Sequence, residues 1–258
     1  MTVDDFSLDF FSLKGKTAMV TGGNSGLGQA FSLALAKAGA NLFIPGIIEE
    51  TGETKDLIEA HHVRAEFMTV DITGDGECAR VMDTCMDRMG RLDILVNNAG
   101  ICRLKPVPEF GRRDWDPMLD VNVTAAFELS REAAIHMIPE KSGKIINICS
   151  LFSYLGGRMS PGYAASKHAL AGLTKAYCDE LAVHNIQVNG IAPGYYATHI
   201  TESTRQDPQS NQQVLDHIPA GRWGTPQDLM GAVVFLAGRA SDYVNGHILV
   251  VDGGYRVR

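Results

Sequence analysis

The sequence lacks the cysteine patterns that mark disulfide frameworks and zinc sites. It has five cysteines, an odd number, and no C-x-x-C pair. They are Cys78, Cys85, Cys102, Cys149 and Cys178. A disulfide-rich secreted domain and a structural zinc site are therefore excluded, and we predict no bound metal. Reduced thiols that pack as small apolar side chains are typical of the cytoplasm, which is the expected compartment.

Long apolar runs and an excess of positive charge are also absent. No stretch approaches the roughly 18 apolar residues of a transmembrane helix. The leader Met1–Leu13 carries three aspartates and no apolar run, so we expect no signal peptide. Lys and Arg total 23 against 30 Asp and Glu, a formal net charge of −7. An acidic chain repels phosphate groups, so neither nucleic acid nor a membrane is expected as a partner.

Short apolar runs alternate with longer helical patterns along the chain. Its 258 residues, 45% apolar and 21% charged, suit a single globular domain, 1–258. Strands are predicted at Thr17–Val20, Asn41–Ile44, Glu66–Val70, Leu92–Val96, Lys144–Cys149, Ile186–Ile191 and Ile248–Val251. Helices are predicted at Gly26–Ala38, within Glu49–His61, and at Glu77–Met89, Trp115–Met137 with a break near Asp120, Tyr163–Val183 and Pro226–Leu236. This alternation predicts an α/β fold, a Rossmann-type doubly wound parallel sheet with helices on both faces.

One polar segment interrupts the alternation. Residues 195–221, about 27 in number, follow the sixth predicted strand and contain a run of polar side chains. Long insertions after a strand often cover a binding site. We therefore predict that Tyr195–Gly221 is a lid over the substrate, with a plain surface excursion as the alternative.

The first predicted turn carries a cluster of glycines. The chain reads Thr21-Gly22-Gly23-Asn24-Ser25-Gly26-Leu27-Gly28, a T-G-x-x-x-G-x-G pattern, between the first strand and the first helix. Glycines let the backbone approach a pyrophosphate, and the helix N-terminus offers unpaired N–H groups to it. The position favours a dinucleotide-binding turn over a tight turn without a ligand.

The end of the second predicted strand bears on the choice of cofactor. An acid there would bind a ribose hydroxyl of NAD, whereas a nearby arginine would bind the 2′-phosphate of NADP. This chain has Pro45-Gly46-Ile47 instead, followed by the acids Glu49 and Glu50. The first arginine after them is Arg64. Because a 2′-phosphate would lack a cation, NAD is predicted in preference to NADP.

Tyr163, Lys167 and Ser150 form the candidate catalytic group. Tyr163 and Lys167 are four residues apart, on one face of the predicted helix. A free phenol titrates at about 10, and a nearby cation favours phenolate, so Lys167 is expected to lower the pKa of Tyr163. Ser150 follows the fifth strand, where doubly wound sheets bind ligands, and can donate to a substrate carbonyl. The alternative is a surface Tyr–Lys pair and an unrelated serine.

These motifs, with others in the same order, resemble the short-chain dehydrogenase/reductase family. The resemblance covers about Gly15 to Arg258 and rests on Thr21-Gly22…Gly26-Leu27-Gly28, Val70-Asp71, Asn97-Asn98-Ala99-Gly100, Asn122, Ser150, Tyr163…Lys167, Pro193-Gly194 and Val251-Asp252-Gly253-Gly254. It implies an NAD(P)-dependent oxidoreductase that transfers a hydride between the nicotinamide and a secondary alcohol or ketone. The Asp252-Gly253-Gly254 turn often lies near a subunit interface in this family, which implies a homotetramer.

The resemblance also implies roles for single residues. Tyr163 would be the acid/base, Ser150 would orient the substrate, and Asn122 would hold a water in a proton relay. Asp71 would bind the adenine, and Lys167 the nicotinamide ribose. Cofactor contacts are implied for Gly22, Asn24, Ser25, Gly26, Leu27, Gly28, Asp71, Ile72, Asn98, Ala99, Gly100, Tyr163, Lys167, Pro193, Gly194 and Thr198.

A narrower likeness leads to the sugar-acid branch of that family, which includes 2-deoxy-D-gluconate 3-dehydrogenase. It rests on segments such as Ile218-Pro219-Ala220-Gly221-Arg222-Trp223-Gly224 and Ser241-Asp242-Tyr243-Val244-Asn245-Gly246. The implied substrate is a small carboxylate-bearing sugar derivative, which needs a cation in an acidic protein. Arg103 and Arg158 are the candidates, with two solvated surface arginines as the alternative. Reduction of another carbonyl (a 3-oxoacyl thioester, a steroid or an aromatic ketone) and an NAD-binding sensor without turnover stay open.

Overall fold

Seven parallel strands form one sheet in the computed structural model, which describes residues 6–258 apart from the side chain of Ile200. The strands are β1 (Thr17–Val20), β2 (Asn41–Gly46), β3 (Ala65–Thr69), β4 (Ile94–Asn97), β5 (Gly143–Ile148), β6 (Ile186–Pro193) and β7 (Ile248–Val251). Their order across the sheet is β3-β2-β1-β4-β5-β6-β7, so the winding direction reverses between β1 and β4. The predicted Rossmann-type fold is confirmed. Residues 1–5 of the predicted leader lie outside the described part of the chain.

Helices cover both faces of the sheet. They are α1 (Gly26–Lys37), α2 (Glu53–Glu59), α3 (Glu77–Met89), α4 (Arg112–Leu119), α5 (Ala125–Glu140), α6 (Pro161–Leu181), α7 (Glu202–Gln206), α8 (Pro208–His217) and α9 (Gln227–Ala237). Side chains alternate between the two faces along each strand. In β1, Ala18 and Val20 therefore join the apolar cluster of α1 and α9, whereas Met19 joins the cluster of α3 and α5.

The second strand is longer than predicted. β2 was expected to end at Ile44, but it continues through Pro45 and Gly46, which pair with Met68 and Thr69 of β3. The pairing of β2 with β1 ends earlier, at Phe43, so an N–H at position 45 would have no ladder partner on that side. A proline is tolerated at such a place. Its carbonyl is used, because it accepts a hydrogen bond from the Gly22 N–H at 2.8 Å.

The helix predicted over Trp115–Met137 is two helices joined by a π-turn. α4 ends at Leu119, Asp120–Thr124 form a single π-helical turn, and α5 follows directly. The predicted break near Asp120 is therefore confirmed. Pro139 lies inside the last turn of α5 rather than ending it, because the helix stops one residue later at Glu140.

The predicted lid, residues 195–221, is largely helical. It contains a short 3₁₀ turn and both α7 and α8. Its two ends are joined, because Tyr196 pairs with Gly224 and the Gly224 N–H donates to the Tyr195 carbonyl at 2.9 Å. The segment therefore leaves the sheet and returns to it through one stem.

Three findings concern features expected to be absent. The five cysteines form no disulfide bond. Within residues 6–258, no helix is long and apolar enough to span a membrane. The same residues contain no group of three or more metal-ligating side chains arranged around a common point.

Asp93 is a buried carboxylate at the amino-terminal edge of the sheet. It accepts hydrogen bonds from the Thr17 N–H at 2.9 Å, from Lys16 at 3.0 Å and from two guanidinium nitrogens of Arg91 at 2.6 and 2.8 Å. Burial would raise the pKa of this carboxyl, but these hydrogen bonds outweigh burial and hold the pKa below its ordinary value of 3.8. The charged form therefore stabilises the junction of β1 and β4.

Replacing Asp93 by Asn should lower the free energy of unfolding by roughly 2 kcal/mol, because charge-assisted hydrogen bonds in a buried place are lost. Since the folded pKa is depressed, this stabilisation is present above pH 3.8 and is lost as the pH falls through the folded pKa. The Asn variant should therefore show a smaller loss of stability on acidification. Urea unfolding at a series of pH values measures both effects.

Asp116→Asn is the matched control, because Asp116 pairs with Arg112 on the exposed surface of α4. A surface pair of this kind contributes only about 0.5 kcal/mol. An Asp93 variant as stable as this control at neutral pH would contradict the prediction.

Candidate active site

The residues predicted to act together lie at the carboxyl-terminal edge of the sheet. The turn after β1 holds the glycine cluster, and residues 98–100 follow β4. Ser150 follows β5, and Pro193 ends β6 with Gly194 and Thr198 after it. Tyr163 and Lys167 lie in α6, whose first turn faces the same edge. Parallel sheets of this type bind ligands at this edge, beside the point where the winding reverses.

The turn between β1 and α1 fits a dinucleotide pyrophosphate. Gly22 and Gly26 have positive φ angles of +62° and +52°, which only glycine adopts without strain. A Cβ at Gly28 would lie 2.2 Å from the Gly22 carbonyl oxygen, so no larger residue fits there. The Ser25 side chain, at the N-cap of α1, accepts no hydrogen bond from the first turn. Among residues 6–258, the first amides of α1 are thus left to an anion from outside.

Thr21 ties this turn to the loop after β4. Its hydroxyl oxygen accepts hydrogen bonds from the N–H groups of Asn98 and Ala99 at 3.0 and 2.9 Å. The Asn98 side chain donates in return to the Thr21 carbonyl at 2.8 Å. Thr21 was not among the predicted site residues. Its position directly before the first glycine was a usable signal, because a short polar side chain there can reach the neighbouring loop.

The end of β2 is where an adenosine ribose would be recognised. Gly46 lies next to the glycine turn, since a Cβ built on Gly46 would be in van der Waals contact with the Gly22 Cα at 3.4 Å. The Asn24 side chain donates to the Ile48 carbonyl at 2.9 Å and holds the following loop. Glu50 accepts the N–H groups of Gly52 and Thr54, each at 2.9 Å, and so caps α2. Sequence reasoning did not foresee this capping role.

The remaining predicted cofactor residues border the same edge. Asp71 and Ile72 follow β3, and the hydrogen bonds from the Thr73 N–H and hydroxyl lower the pKa of the Asp71 carboxyl. Gly194 lies directly against the backbone of Asp252, and no side chain fits there because a Cβ at Gly194 would be 2.7 Å from the Asp252 Cα. Thr198 caps a 3₁₀ turn at the start of the segment 195–221.

Asn122 lies in the π-turn and is 1% exposed. Its side-chain oxygen accepts the Ile101 N–H at 2.8 Å, and its amide donates to the Ile101 carbonyl at 3.0 Å. The amide also donates to the Ser166 hydroxyl at 3.0 Å, one residue before Lys167. Both amide hydrogens are therefore used within the protein, while one lone pair of the oxygen is left to receive another hydrogen bond.

The Tyr163 side chain lies close to both Ser150 and Lys167. Lys167 is 4% exposed; its Nζ lies 5.5 Å from the Tyr163 ring centroid and donates to the Ile148 carbonyl at 2.7 Å. Burial raises the pKa of Tyr163 to about 12, although hydrogen bonding with Ser150 acts to lower it. The net pKa of Tyr163 is therefore raised in the protein alone, because burial has the largest effect. The influence of Lys167 on this pKa stays a prediction. The Phe152 ring packs edge-on against Tyr163 at 5.8 Å.

Burial shifts the lysine in the opposite sense, because it disfavours a charge. It lowers the pKa of Lys167 to about 8. Tyr163 therefore keeps its proton at neutral pH, and Lys167 begins to lose its own only slightly above neutrality. Such opposite shifts within one cleft are typical of groups that exchange protons with a ligand.

The two arginines predicted for substrate binding differ in their surroundings. Arg103 lies 3.8 Å from the Asp114 carboxylate and also donates to the Arg113 carbonyl, so its charge is partly compensated within the protein. Arg158 is exposed on the loop before α6 and has no ion pair with any residue of 6–258. The two loops are joined, because the Lys105 N–H donates to the Met159 carbonyl at 2.8 Å.

Comparison with known proteins agrees with this geometry. A family model described as enoyl-(acyl carrier protein) reductase matches residues 22–256. The uncharacterised oxidoreductase YgcW of Escherichia coli is 70% identical over 257 residues, which is 100% of this chain and 98% of that protein. The 2-dehydro-3-deoxy-D-gluconate 5-dehydrogenase of Escherichia coli is 46% identical over 252 residues, 97% of this chain and 99% of that protein.

A solved structure adds a spatial match. A gluconate 5-dehydrogenase from Burkholderia cenocepacia, crystallised with NADP and tartrate, superposes with a TM-score of 0.93 at 38% identity, and the match covers 98% of this chain and 100% of that one. The sequence, the fold and the site thus agree. The chain therefore belongs to the short-chain dehydrogenase/reductase family and is an NAD(P)-dependent oxidoreductase.

Proposed function

We propose that this chain interconverts a secondary alcohol and a ketone of a hydroxylated sugar acid, with NAD as the preferred cofactor. The observation that carries the proposal is the grouping of Ser150, Tyr163 and Lys167 beside the glycine turn, at one edge of the sheet. When bound, the cofactor supplies the hydride acceptor or donor. Binding, orientation and proton transfer are the work of the chain's own residues.

The cofactor would lie along the carboxyl edge from β3 to β6. The glycine turn and the first amides of α1, with Asn24, Ser25 and Leu27, would hold the pyrophosphate. Asp71 and Ile72 would contact the adenine. Asn98, Ala99 and Gly100 would line the ribose side, and Pro193, Gly194 and Thr198 the nicotinamide. What supports this arrangement is the lack of room for a side chain at Gly28 and the open space beside Gly26.

The preference for NAD is supported by the charges near β2. Residues 45–55 contain one cation, Lys55, which lies 4.0 Å from Glu59. Arg64 is engaged elsewhere, since it donates to Glu66 at 2.8 and 3.1 Å. Glu50 sits at the start of α2 as an anion. A ribose hydroxyl can donate to such a carboxylate, whereas a 2′-phosphate would be repelled by it.

Proton transfer is assigned to Tyr163. In reduction its phenol would donate to the carbonyl oxygen of the substrate, and in oxidation the phenolate would accept the alcohol proton. Ser150 would hold that oxygen through its hydroxyl. Lys167 would favour the phenolate by its charge and bind the nicotinamide ribose. Asn122 would hold a water through its remaining lone pair and connect Lys167 to solvent.

The sugar-acid substrate is supported by two of the relatives, which are named as a 2-dehydro-3-deoxy-D-gluconate 5-dehydrogenase and a gluconate 5-dehydrogenase. The second of them was crystallised with tartrate beside NADP. Arg103 and Arg158 would contribute positive charge from the two loops that border the cleft. The segment 195–221 would cover the substrate, since its stem starts directly after Gly194.

Two further features complete the proposal. Free thiols at all five cysteines suit a reducing compartment, which supports a cytoplasmic location. Exposed apolar side chains on α5, namely Phe127 and Ile135, support assembly into a homotetramer by burial of such faces.

Replacing Tyr163 by Phe should lower kcat by about 10² to 10⁴-fold, because the proton donor is lost while the ring keeps its packing against Phe152. The assay is steady-state oxidation and reduction of NAD(H) with 2-dehydro-3-deoxy-D-gluconate, D-gluconate and uncharged ketones. Turnover restricted to uncharged ketones would overturn the substrate class, and normal turnover by the variant would overturn the mechanism.

The two directions should respond differently to pH. Because the pKa of Tyr163 is raised to about 12, its protonated form dominates at neutral pH and reduction should proceed without a rise in pH. Oxidation needs phenolate, so its kcat should climb with pH. The climb should weaken above pH of about 8, where Lys167 loses its charge. Profiles of kcat from pH 6 to 10 in both directions test this, and a flat oxidation profile would contradict it.

Introducing a cation at position 47 should shift the cofactor preference. Ile47 is 71% exposed beside Gly46, so Ile47→Arg places a guanidinium within reach of a 2′-phosphate. We expect kcat/KM for NADPH to rise by about tenfold, with little change for NADH. Val183→Arg, at another exposed apolar position, controls for net charge. Equal use of NADPH and NADH by the unmodified protein would contradict the assigned preference.

A further inference from the structure

Arg205 lies in α7, within the segment 195–221 that leaves the sheet after β6. Its Nη2 donates to the Thr198 carbonyl oxygen at 3.0 Å. Its Nε is buried and has no hydrogen-bond partner anywhere in residues 6–258. The side chain as a whole is half-buried. Its Nε–H is a donor without an acceptor among the described residues.

Within residues 6–258, the charge of Arg205 also has no acidic partner. None of the ion pairs formed among the described residues includes it, although the neighbouring acid Glu202 pairs with His199. By contrast, Arg222, just beyond the same segment, is bound by both oxygens of Asp228 at 2.8 and 2.9 Å. A guanidinium has five N–H donors and no acceptor, so a buried N–H of this kind needs an acceptor oxygen beside it.

We propose that Arg205 binds the carboxylate of the substrate, as the specificity-determining cation of the segment 195–221. A guanidinium offers two parallel N–H donors that match the two oxygens of a carboxylate. The free Nε–H is one member of such a donor pair. A carboxylate would supply both the missing acceptor and the missing negative charge. The inference rests on the proposed function, because it takes the substrate to be a sugar acid.

The position of Arg205 relative to the reacting groups supports this role. Thr198, whose carbonyl it contacts, follows the carboxyl end of β6 by five residues. The Thr201 hydroxyl donates to the Tyr196 carbonyl at 2.6 Å and so holds the start of α7 close to that strand end. Arg103 is less suited to bind a substrate carboxylate, because Asp114 already lies beside its guanidinium. Arg205 thus combines a charge without an ion pair among residues 6–258 with a place in the segment that begins at the end of β6.

The test compares acids with their uncharged counterparts. The probes are 2-dehydro-3-deoxy-D-gluconate, D-gluconate and the carboxamide of each, used with the full-length protein and NAD. Arg205→Gln should raise KM for the acids by roughly 10- to 100-fold, the loss expected for a charge-assisted hydrogen bond. Its KM for the carboxamides and for NAD should change by less than about twofold. Arg205→Lys should recover part of the affinity for the acids.

Arg112→Gln is the matched control, because Arg112 is exposed and pairs with Asp116 on α4. It should leave all KM values unchanged. Two outcomes would overturn the inference without affecting the proposed function. The first is an unaltered preference for acids in Arg205→Gln. The second is an equal rise in KM for acids and carboxamides, which is expected if Arg205 only positions Thr198. If Arg205→Gln fails to fold, Arg205→Lys distinguishes a carboxylate-binding role from a purely structural one. The first role predicts a change in KM for the acids only, and the second predicts the same change for acids and carboxamides.

The unmodified protein distinguishes failure of the proposed function from failure of this inference. If it uses carboxamides as well as acids, the proposed sugar-acid specificity fails, and the role of Arg205 fails with it. If the unmodified protein prefers acids and the Arg205→Gln variant does not, both the proposed function and the role of Arg205 are supported.

Discussion

The Asn122 side chain joins the loop after β4 to the helix α6, and the arrangement of the site depends on this connection. Its side-chain amide makes two hydrogen bonds with the backbone of Ile101, one to the N–H and one to the carbonyl, in the way that a neighbouring β-strand would. A third hydrogen bond goes to the Ser166 hydroxyl in α6. The loop after β4 and the helix that carries Tyr163 are thereby held at one distance. A π-turn is the local geometry that presents this side chain inward, since it adds a residue to a helical turn.

Burial determines the electrostatics of the cleft. Lys167 is buried and Tyr163 is half-buried, and desolvation drives each toward its neutral form. The Ile148 carbonyl accepts a direct hydrogen bond from the ammonium at 2.7 Å, while the hydrogen bond with Ser150 only partly offsets the burial of the phenol. The proton consequently resides on the tyrosine until a ligand changes the local charge. In the proposed mechanism the tyrosine would therefore act as a proton donor, and it would become a base only when positive charge is added nearby.

Much of the fold could be predicted from the sequence. Parallel strands that are buried on both faces appear as short apolar runs, and these runs are separated by glycine-rich or polar turns. The same runs placed the glycine turn, Asn98 and Ser150 at strand ends, which is why these residues could be grouped from the sequence alone. The extension of β2 through Pro45 could not be foreseen, since it depends on where the pairing with β1 stops.

Contacts between distant elements were also beyond prediction. The residues around Arg103 and Arg205 in the sequence do not show which of the two arginines has a carboxylate partner. Only the fold places Asp114 of α4 beside the first and leaves the second without a counter-ion among residues 6–258. The same applies to Glu50, whose capping of α2 depends on the positive φ of Gly52 that opens the helix. Burial and pairing, rather than residue type, decide which charges can serve a ligand.

The stem at Tyr196 and Gly224 separates two parts of the molecule that can change independently during evolution. The pairing at the stem and the hydrogen bonds around it close the segment 195–221 on itself, outside the sheet. Residues inserted or exchanged within α7 and α8 would leave the strand order and the groups on α6 in place. A chain built in this way can vary the segment 195–221 in length and composition while the sheet and α6 stay unchanged.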